Sequence, residues 1–206
     1  MTVKRRYRSE VRAVRATATR DAITAAARRL FASRGYAATS IETIAKEAGV
    51  AVQTVYAVFG SKRTLLESLL DALDDQAGLE ALGKALANAR PVEQASAVAR
   101  FLTRLFTRGA DVIAAARGAG AGDPALQALT RKGLARHHQG MTRLAQGWAR
   151  AGALRPDLSA RDATAILEAI TSYEVFHHLR AAGWTLKHYE QWLGATIAAL
   201  VLASPR

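Results

Sequence analysis

Cysteine is absent from this 206-residue chain, proline occurs four times, and aromatic residues make up only 6% of the sequence. The absence of cysteine excludes a disulfide scaffold, a thiolate zinc site and a cysteine nucleophile. No stretch approaches the ~20 uninterrupted apolar residues that a helix needs to span a bilayer. No apolar segment follows the basic N-terminus, as it would in a secretory signal. We therefore expect a cytoplasmic protein that does not enter the membrane.

The motifs of common enzymes and metal sites are also missing. The chain has no His-Glu-x-x-His motif and no Gly-x-Ser-x-Gly elbow, and its Gly118–Gly122 run lacks the Lys-Ser/Thr of a phosphate-binding loop. His137–His138 and His177–His178 are adjacent pairs. Because neighbouring side chains on a helix point about 100° apart, each pair would supply one metal ligand rather than two. We expect no enzyme, no cofactor and no metal site.

Positive charge is concentrated near the N-terminus. The chain carries 29 Lys or Arg and 17 Asp or Glu residues, a formal net charge of +12. Residues 1–64 hold 13 of the basic and four of the acidic groups, so +9 of the excess lies there and only +3 in the remainder. A basic module joined to a nearly balanced body favours a nucleic acid as partner. The alternative is a basic adaptor that binds an acidic protein or a membrane surface without recognising a DNA sequence.

Apolar residues recur at helical spacing throughout, and no run shows the alternation of a strand, which predicts an all-α fold. The first helix is expected from about Arg20 to Arg34, where Gly35 is placed to end it. Thr39 and Glu42 have the spacing of a capping box, so Thr39 is predicted to cap the next helix.

The second part of the chain predicts longer helices. Gly109 is predicted to interrupt one of them. Ser159 and Asp162 are predicted to cap a helix of about 20 residues that ends at Gly183. The last helix is predicted from Leu186 to Leu202.

The stretch from Ile41 to Phe59 has the pattern of two short helices joined by a turn that contains Gly49. This is the spacing of a DNA-binding helix-turn-helix. Three apolar residues should fix the second helix to the core, namely Val50, Val55 and Phe59. The positions left to face DNA are Val52, Gln53, Thr54, Tyr56 and Ala57.

Several of these side chains suit contacts with DNA. Gln53 can pair with N6 and N7 of adenine, and Val52 can contact a thymine methyl group. The hydroxyls of Thr54 and Tyr56 can donate to phosphates, as can Lys62 at the start of the following helix. Thr39 lies at a helix N-terminus, where backbone N–H groups favour a phosphate.

A longer pattern surrounds this motif. It consists of Ala22-Ile23, Leu30-Phe31, Gly35-Tyr36, Thr39, Ile44-Ala45, Ala48-Gly49-Val50, Thr54-Val55-Tyr56, Phe59, Ser61-Lys62 and Leu65. Over about residues 20–70 it resembles the N-terminal domain of the TetR family of bacterial regulators. The remainder is similar to the ligand-binding body of that family in length and helical content.

The resemblance implies an all-α protein with a three-helix DNA-binding domain followed by a helical ligand-binding and dimerisation domain. We predict a basic, mobile arm over residues 1–18, the DNA-binding domain over 19–64 and the effector-binding and dimerisation domain over 65–206. The implied function is a homodimeric repressor that binds a palindromic operator in double-stranded DNA and releases it when a small molecule binds.

The resemblance also implies roles for particular residues. Phosphate contacts carry over to Thr39, Thr54, Tyr56 and Lys62, and base contacts to Val52 and Gln53. The two positions after Tyr56 are often aromatic, basic or His in the family, but here they are Ala57 and Val58. We hypothesise that the arginine-rich arm compensates for these two contacts.

Two further sets of residues are candidates in the body. The last two predicted helices should pair with those of a second copy in a four-helix bundle. The residues proposed for this interface are Ile166, Ile170, Tyr189, Leu193, Ile197 and Leu200. The effector, expected to be apolar or aromatic, should be bound by Phe101, Leu105, Trp148, Tyr173 and His177. For both sets, a purely structural place in the intrachain core is the alternative.

Overall fold

The computed structural model describes residues 3–120 and 124–203, with the side chains of residues 3–11, 119, 120 and 125 left out. The described residues form ten helices: α1 Val3–Arg34, α2 Ile41–Ala48, α3 Val52–Phe59, α4 Lys62–Ala77, α5 Leu79–Asn88, α6 Pro91–Gly120, α7 Pro124–Arg150, α8 Ala160–Ile170, α9 Tyr173–Ala181 and α10 Leu186–Val201. In these ranges the β-type pairing is confined to one isolated bridge between Leu154 and Leu202. The predicted all-α fold is confirmed.

Helix α1 begins at Val3, so the predicted start near Arg20 is wrong. The segment from Val3 to Arg34 contains neither Gly nor Pro and is rich in Ala and Arg, two of the best helix formers. The helix therefore extends well beyond the part that packs against the core, which begins at Ile23. Residues 3–18 of the predicted arm are helical, residues 1 and 2 lie outside the described residues, and the mobility of the arm stays a prediction.

The turn between α1 and α2 differs from the prediction in its cap. Helix α1 ends before Gly35, which has a φ of 79°, as predicted. The side chain that caps α2 belongs to Ser40, which accepts a hydrogen bond from the Thr43 N–H at 3.2 Å. The predicted cap at Thr39 is therefore wrong by one residue, because the Thr39 hydroxyl instead donates to the Gly35 carbonyl at 2.8 Å.

The longer helices show two further differences from the prediction. Helix α6 continues through Gly109, since one glycine inside a long helix costs only about 1 kcal/mol relative to alanine. Ser159 and Asp162 do form a capping box. The helix that they open ends at Ile170, however, and Ser172 caps the separate helix α9 by accepting from the Val175 N–H at 3.3 Å. The predicted single helix to Gly183 is therefore wrong.

The chain divides into two compact units. The first unit contains the residues up to Ala72 together with Ala110–Thr130, and the second contains Leu73–Gly109 and the residues from Arg131 onward. The predicted boundary after Thr64 lies earlier than this division. The apolar residues of α4 that follow it, such as Leu65 and Leu69, belong to the same core cluster as Ile23.

The core of the first unit includes residues far from the N-terminus in sequence. Val112, Ala116 and Leu126 are buried in the cluster that also contains Ile23 and Phe31. The Arg28 guanidinium makes a two-point ion pair with the Asp111 carboxylate, with N–O distances of 2.8 and 3.0 Å. The first unit is thus built from α1–α4 and from the segment on either side of the α6–α7 connection.

The core of the second unit is formed by apolar and aromatic side chains of its longer helices. Its fully buried members include Leu102, Trp148, Leu167, Tyr189, Leu193 and Ile197. Helices α8 and α9 each contact α10. Across the described part of the chain, every helix is too short or too polar to cross a membrane.

Candidate functional site

Helix α3 is held in the first unit by its own apolar residues. Val55 is fully buried, Phe59 is 4% exposed, and Val50 packs half-buried against the same core. The turn before α3 is closed by Gly49, whose φ is 67° and whose N–H donates to the Lys46 carbonyl at 3.2 Å. The predicted core residues of the helix-turn-helix are therefore confirmed.

The opposite face of α3 is open to solvent and carries no charge. Gln53, Tyr56 and Ala57 are exposed, with Tyr56 at 48%, and Val52 and Thr54 are half-buried. The helix offers an amide and hydroxyl groups as hydrogen-bonding groups, and short apolar side chains between them. Such a surface suits hydrogen bonds and methyl contacts at base edges more than attraction to phosphates.

Thr39 faces inward. The residue is 1% exposed, and its hydroxyl lies 2.8 Å from the Gly35 carbonyl and 3.3 Å from the Leu30 carbonyl, which share its single proton. Its backbone N–H donates to the Tyr36 carbonyl at 3.2 Å. The structure thus uses both donors of Thr39 to hold the turn between α1 and α2.

Lys62 lies against the same turn. Its ammonium donates to the carbonyls of Tyr36 and Thr39 at 2.8 and 2.7 Å and lies 4.3 Å from the centre of the Tyr36 ring. Partial burial lowers the pKa of Lys62. Because an ammonium has three N–H groups, two serve the carbonyls and one remains for another acceptor. Lys62 therefore joins the start of α4 to the α1–α2 turn.

Arg20 is not among the predicted site residues, but it lies next to α3. Its guanidinium lies 4.4 Å from the centre of the Phe59 ring, a cation–π contact at the end of α3. The two residues are far apart in sequence, and no local pattern connects them. This contact places a basic residue of α1 beside the proposed recognition helix.

The candidate effector residues lie in different surroundings within the second unit. Trp148 is 2% exposed, and its indole N–H donates to the side-chain oxygen of Gln94 at 2.6 Å. Phe101 and Leu105 are half-buried on α6. Tyr173 is half-buried and His177 is exposed, and their rings stack at 5.9 Å.

The rings around Tyr173 form an aromatic cluster, consisting of Phe106, Tyr173, Phe176 and Tyr189. Phe106 lies 5.7 Å from Tyr173 and 5.4 Å from Phe176, and Phe176 lies 5.0 Å from Tyr189, all measured between ring centres. Tyr173 is one of the residues predicted to bind the effector, whereas Phe106 and Phe176 are not. Their places on helical faces gave no signal that distinguished them from other core residues.

The candidate dimerisation residues also divide by burial. Tyr189, Leu193 and Ile197 are fully buried within the chain, Ile166 and Ile170 are half-buried, and Leu200 is 40% exposed. The exposed positions of α8 and α10 include four small apolar residues, namely Ala165, Ala169, Ala195 and Ala199. Sequence spacing indicated the buried stripe of α10, and the exposed alanines on the other side were missed.

A polar network joins α7 to the segment around Thr171. The Thr171 hydroxyl donates its single proton to the Leu167 carbonyl at 2.6 Å, so it accepts from Nε2–H of His137 at 3.0 Å. Burial lowers the pKa of His137, and its effect exceeds that of Glu168, which raises the pKa. His138 Nδ1 lies 2.8 Å from a carboxylate oxygen of Glu168. Within the described residues, no group of three or more His, Cys, Asp or Glu side chains could hold a metal ion.

Comparison with known proteins agrees with this architecture. Residues 23–69 match the family described as bacterial regulatory proteins, tetR family. Comparison with curated protein sequences gives no match. No enzyme family is indicated.

Several solved structures share the fold. NalD from Pseudomonas aeruginosa, the secondary repressor of the MexAB-OprM multidrug efflux pump, is 22% identical with a TM-score of 0.72, over 91% of this chain and 97% of that chain. SmeT in complex with triclosan is 20% identical with a TM-score of 0.76, over 91% and 93%. The fatty acid degradation regulator FadR from Bacillus halodurans is 17% identical with a TM-score of 0.72, over 87% and 94%.

At these identities the structural likeness establishes the fold, and the sequence match covers the helix-turn-helix with its neighbouring helices. Residues 23–69 of this chain therefore form a helix-turn-helix domain of the TetR family of bacterial regulatory proteins.

Proposed function

We propose that this protein is a homodimeric repressor that binds a palindromic operator and is released from it by a small molecule. The observation that carries the proposal is the exposed, uncharged face of α3, fixed to the core by Val55 and Phe59. In this orientation α3 presents Gln53 and Tyr56 at its surface, as a recognition helix in the major groove requires.

Gln53 and Val52 are the residues proposed to select the DNA sequence. The Gln53 amide can bond both N6 and N7 of an adenine, and Val52 can contact a thymine methyl group. Tyr56 and Thr54 are proposed to donate to phosphates. We assign Thr39 a positioning role because two carbonyls already share its hydroxyl proton. Lys62 holds the same turn and keeps one N–H for a phosphate.

A dimer is proposed because one short helix presents too few side chains to define a unique site in a genome. The exposed alanines of α8 and α10, together with Leu200, support pairing through these two helices. Small residues allow helices to approach closely, as in a four-helix bundle. Two recognition helices then bind half-sites about 34–36 Å apart.

Release by a small molecule is proposed for the second unit. SmeT, which shares the fold, forms a complex with triclosan. In our proposal the ligand favours a state of the dimer in which the two α3 helices no longer fit successive major grooves. Because coupling is reciprocal, operator DNA must weaken ligand binding by the same factor.

Selection of DNA from a random duplex library by the purified full chain tests the proposal. We expect enrichment of a palindrome whose half-sites are centred one helical turn or a multiple of it apart. Binding of the selected duplex should exceed that of a scrambled duplex at the same salt concentration. Equal, salt-sensitive binding to every duplex would contradict the proposal and favour the basic adaptor. Binding of the same protein to anionic vesicles would then test that alternative.

A further inference from the structure

Tyr189 carries a buried hydroxyl that has no hydrogen-bond partner among the described residues. The residue is fully buried in α10, within the second unit. Desolvation raises the pKa of Tyr189, so the phenol keeps its proton and remains a donor at neutral pH. Buried donors without an acceptor are uncommon in folded proteins, because the group has given up its bonds to water. The Tyr189 hydroxyl is therefore a buried donor for which the described residues supply no acceptor.

The ring of Tyr189 packs against other aromatic rings. Phe176 meets the Tyr189 ring edge to face, with an angle of 80° between the ring planes, and Trp192 lies 6.0 Å away between ring centres. Phe106 and Phe176, each 5% exposed, continue the cluster toward α6. None of these side chains carries a charge, so a ligand placed among them is favoured when it is itself uncharged.

The aromatic cluster, together with the His177 ring that stacks on Tyr173, extends from the buried interior to the surface of the second unit. Exposure increases from the fully buried Tyr189, through the nearly buried Phe176 and the half-buried Tyr173, to the exposed ring of His177. Three of these rings lie on α9, a helix of nine residues. Its ends are separated from its neighbours by the break at Thr171–Ser172 and by Gly183, which has a φ of 89°. Helix α9 is thus a short element with a break at each end, and its outermost ring, His177, is exposed to solvent.

We propose that the effector is an uncharged aromatic molecule with a hydrogen-bond-accepting oxygen, and that it inserts into the aromatic cluster so that the Tyr189 hydroxyl donates to this oxygen. The rings supply the apolar contacts, and the acceptor satisfies the donor that the described residues leave unpaired. This inference rests on the proposed ligand-responsive function and adds to it the chemical class of the ligand. It moves Tyr189 from the dimerisation set to the effector site.

A matched pair of probes tests the proposal. Acetophenone and ethylbenzene have nearly the same shape, but only acetophenone has an accepting carbonyl oxygen. Their dissociation constants are measured by isothermal titration calorimetry on the full-length protein. We expect wild type to bind acetophenone at least tenfold more tightly than ethylbenzene, and Tyr189→Phe to bind the two with equal affinity. Thr196→Val removes a hydroxyl from a half-buried position of the same helix and should keep the wild-type preference.

The folding of Tyr189→Phe is checked without ligand. Because the substitution removes an unpaired donor and keeps the ring, its melting temperature should equal or exceed that of wild type. Absence of a preference in wild type, persistence of the preference in Tyr189→Phe, or binding of neither probe would each overturn the inference. Binding of the selected operator is measured on the same samples, so a failure here with operator binding intact leaves the proposed regulator standing, whereas loss of operator recognition contradicts the regulator itself.

Discussion

The two units differ in how they treat their buried polar groups. In the first, the Thr39 hydroxyl shares its proton between two carbonyls. The Lys62 ammonium donates to two carbonyls, one of which belongs to Thr39 itself. In the second, the two buried side-chain atoms without a partner among the described residues are the hydroxyls of Tyr189 and Thr142. In the first unit, hydrogen bonds of Thr39 and Lys62 hold the α1–α2 turn, and further polar groups are exposed on α3. The second unit instead has two buried hydroxyls that lack a partner among the described residues.

The units also differ in charge along the sequence. Residues 1–64, which lie in the first unit, hold +9 of the net charge of +12. The exposed face of α3 has no charge at all. Affinity for DNA in general and selection of a sequence are thus assigned to different residues, and this separation can be tested directly.

The largest effect is expected from the basic residues of the N-terminal segment. Replacement of its six Lys and Arg residues by Gln should weaken operator binding, on the order of 10- to 100-fold at moderate salt. The six residues are Lys4, Arg5, Arg6, Arg8, Arg12 and Arg15. The slope of log affinity against log salt should fall by about 0.9 for each phosphate that the variant no longer neutralises. Fluorescence anisotropy at several salt concentrations measures both quantities.

The control for this change is Arg161→Gln, which removes an exposed charge from the second unit. It should leave the salt slope unchanged. An unchanged slope in the six-residue variant would sink the idea that the N-terminal segment replaces the phosphate contacts missing at Ala57 and Val58.

The next effect concerns the internal bonds of the first unit. Lys62→Met should lower the free energy of unfolding by about 2 kcal/mol, because two carbonyls of the α1–α2 turn are deprived of a charged donor. Urea unfolding measures this decrease. The exposed Lys187→Met in α10 is the matched control and should change stability by no more than about 0.5 kcal/mol. If the free energy of unfolding of Lys62→Met decreases as little as that of this control, Lys62 does not stabilise the α1–α2 turn.

The contact between Lys62 and the turn shows where sequence reasoning reached its limit. The helix-turn-helix could be predicted because its signals are local: Gly49 closes a turn, and Val55 and Phe59 recur at helical spacing. The direction of the Lys62 ammonium depends on the carbonyls of a turn more than 20 residues away in sequence. The direction of the Thr39 hydroxyl depends on the neighbouring Ser40, which caps α2 in its place. These are tertiary facts that spacing does not encode.

The second unit was less predictable for a related reason. Caps at Ser159 and Thr185 fix where α8 and α10 begin, and these starts could be predicted. Whether an apolar residue such as Tyr189 faces its own core or a second copy depends on how the helices pack, and a periodic stripe predicts only that one face is buried. Sequence therefore located the stripe but not what covers it.

A third effect separates recognition from folding within the first unit. Gln53→Ala should weaken binding of the selected operator by about tenfold, because it removes the two hydrogen bonds that we propose Gln53 makes to adenine. Binding of a scrambled duplex and the melting temperature should stay the same, because Gln53 is exposed. Gln146→Ala, an exposed glutamine in α7, is the control. Equal weakening on both duplexes would assign Gln53 to the backbone contacts instead.

The smallest effect is expected from His137, and it concerns the interior of the second unit. Burial lowers the pKa of this residue in the folded protein below the usual value of 6.5. Above about pH 6.5 the imidazole is neutral in both states, so it adds no pH dependence. As the pH falls below 6.5, the unfolded chain takes up the proton first, and stability falls until the lower folded-state pKa is passed. Melting temperatures between pH 7.5 and 5.5 should therefore fall less in His137→Gln than in wild type.

His178→Gln, exposed on α9, should keep the wild-type pH dependence. If His137→Gln also keeps the wild-type pH dependence, protonation of His137 does not affect the stability of the second unit. The difference between the two units then rests on the buried hydroxyls of Tyr189 and Thr142 alone.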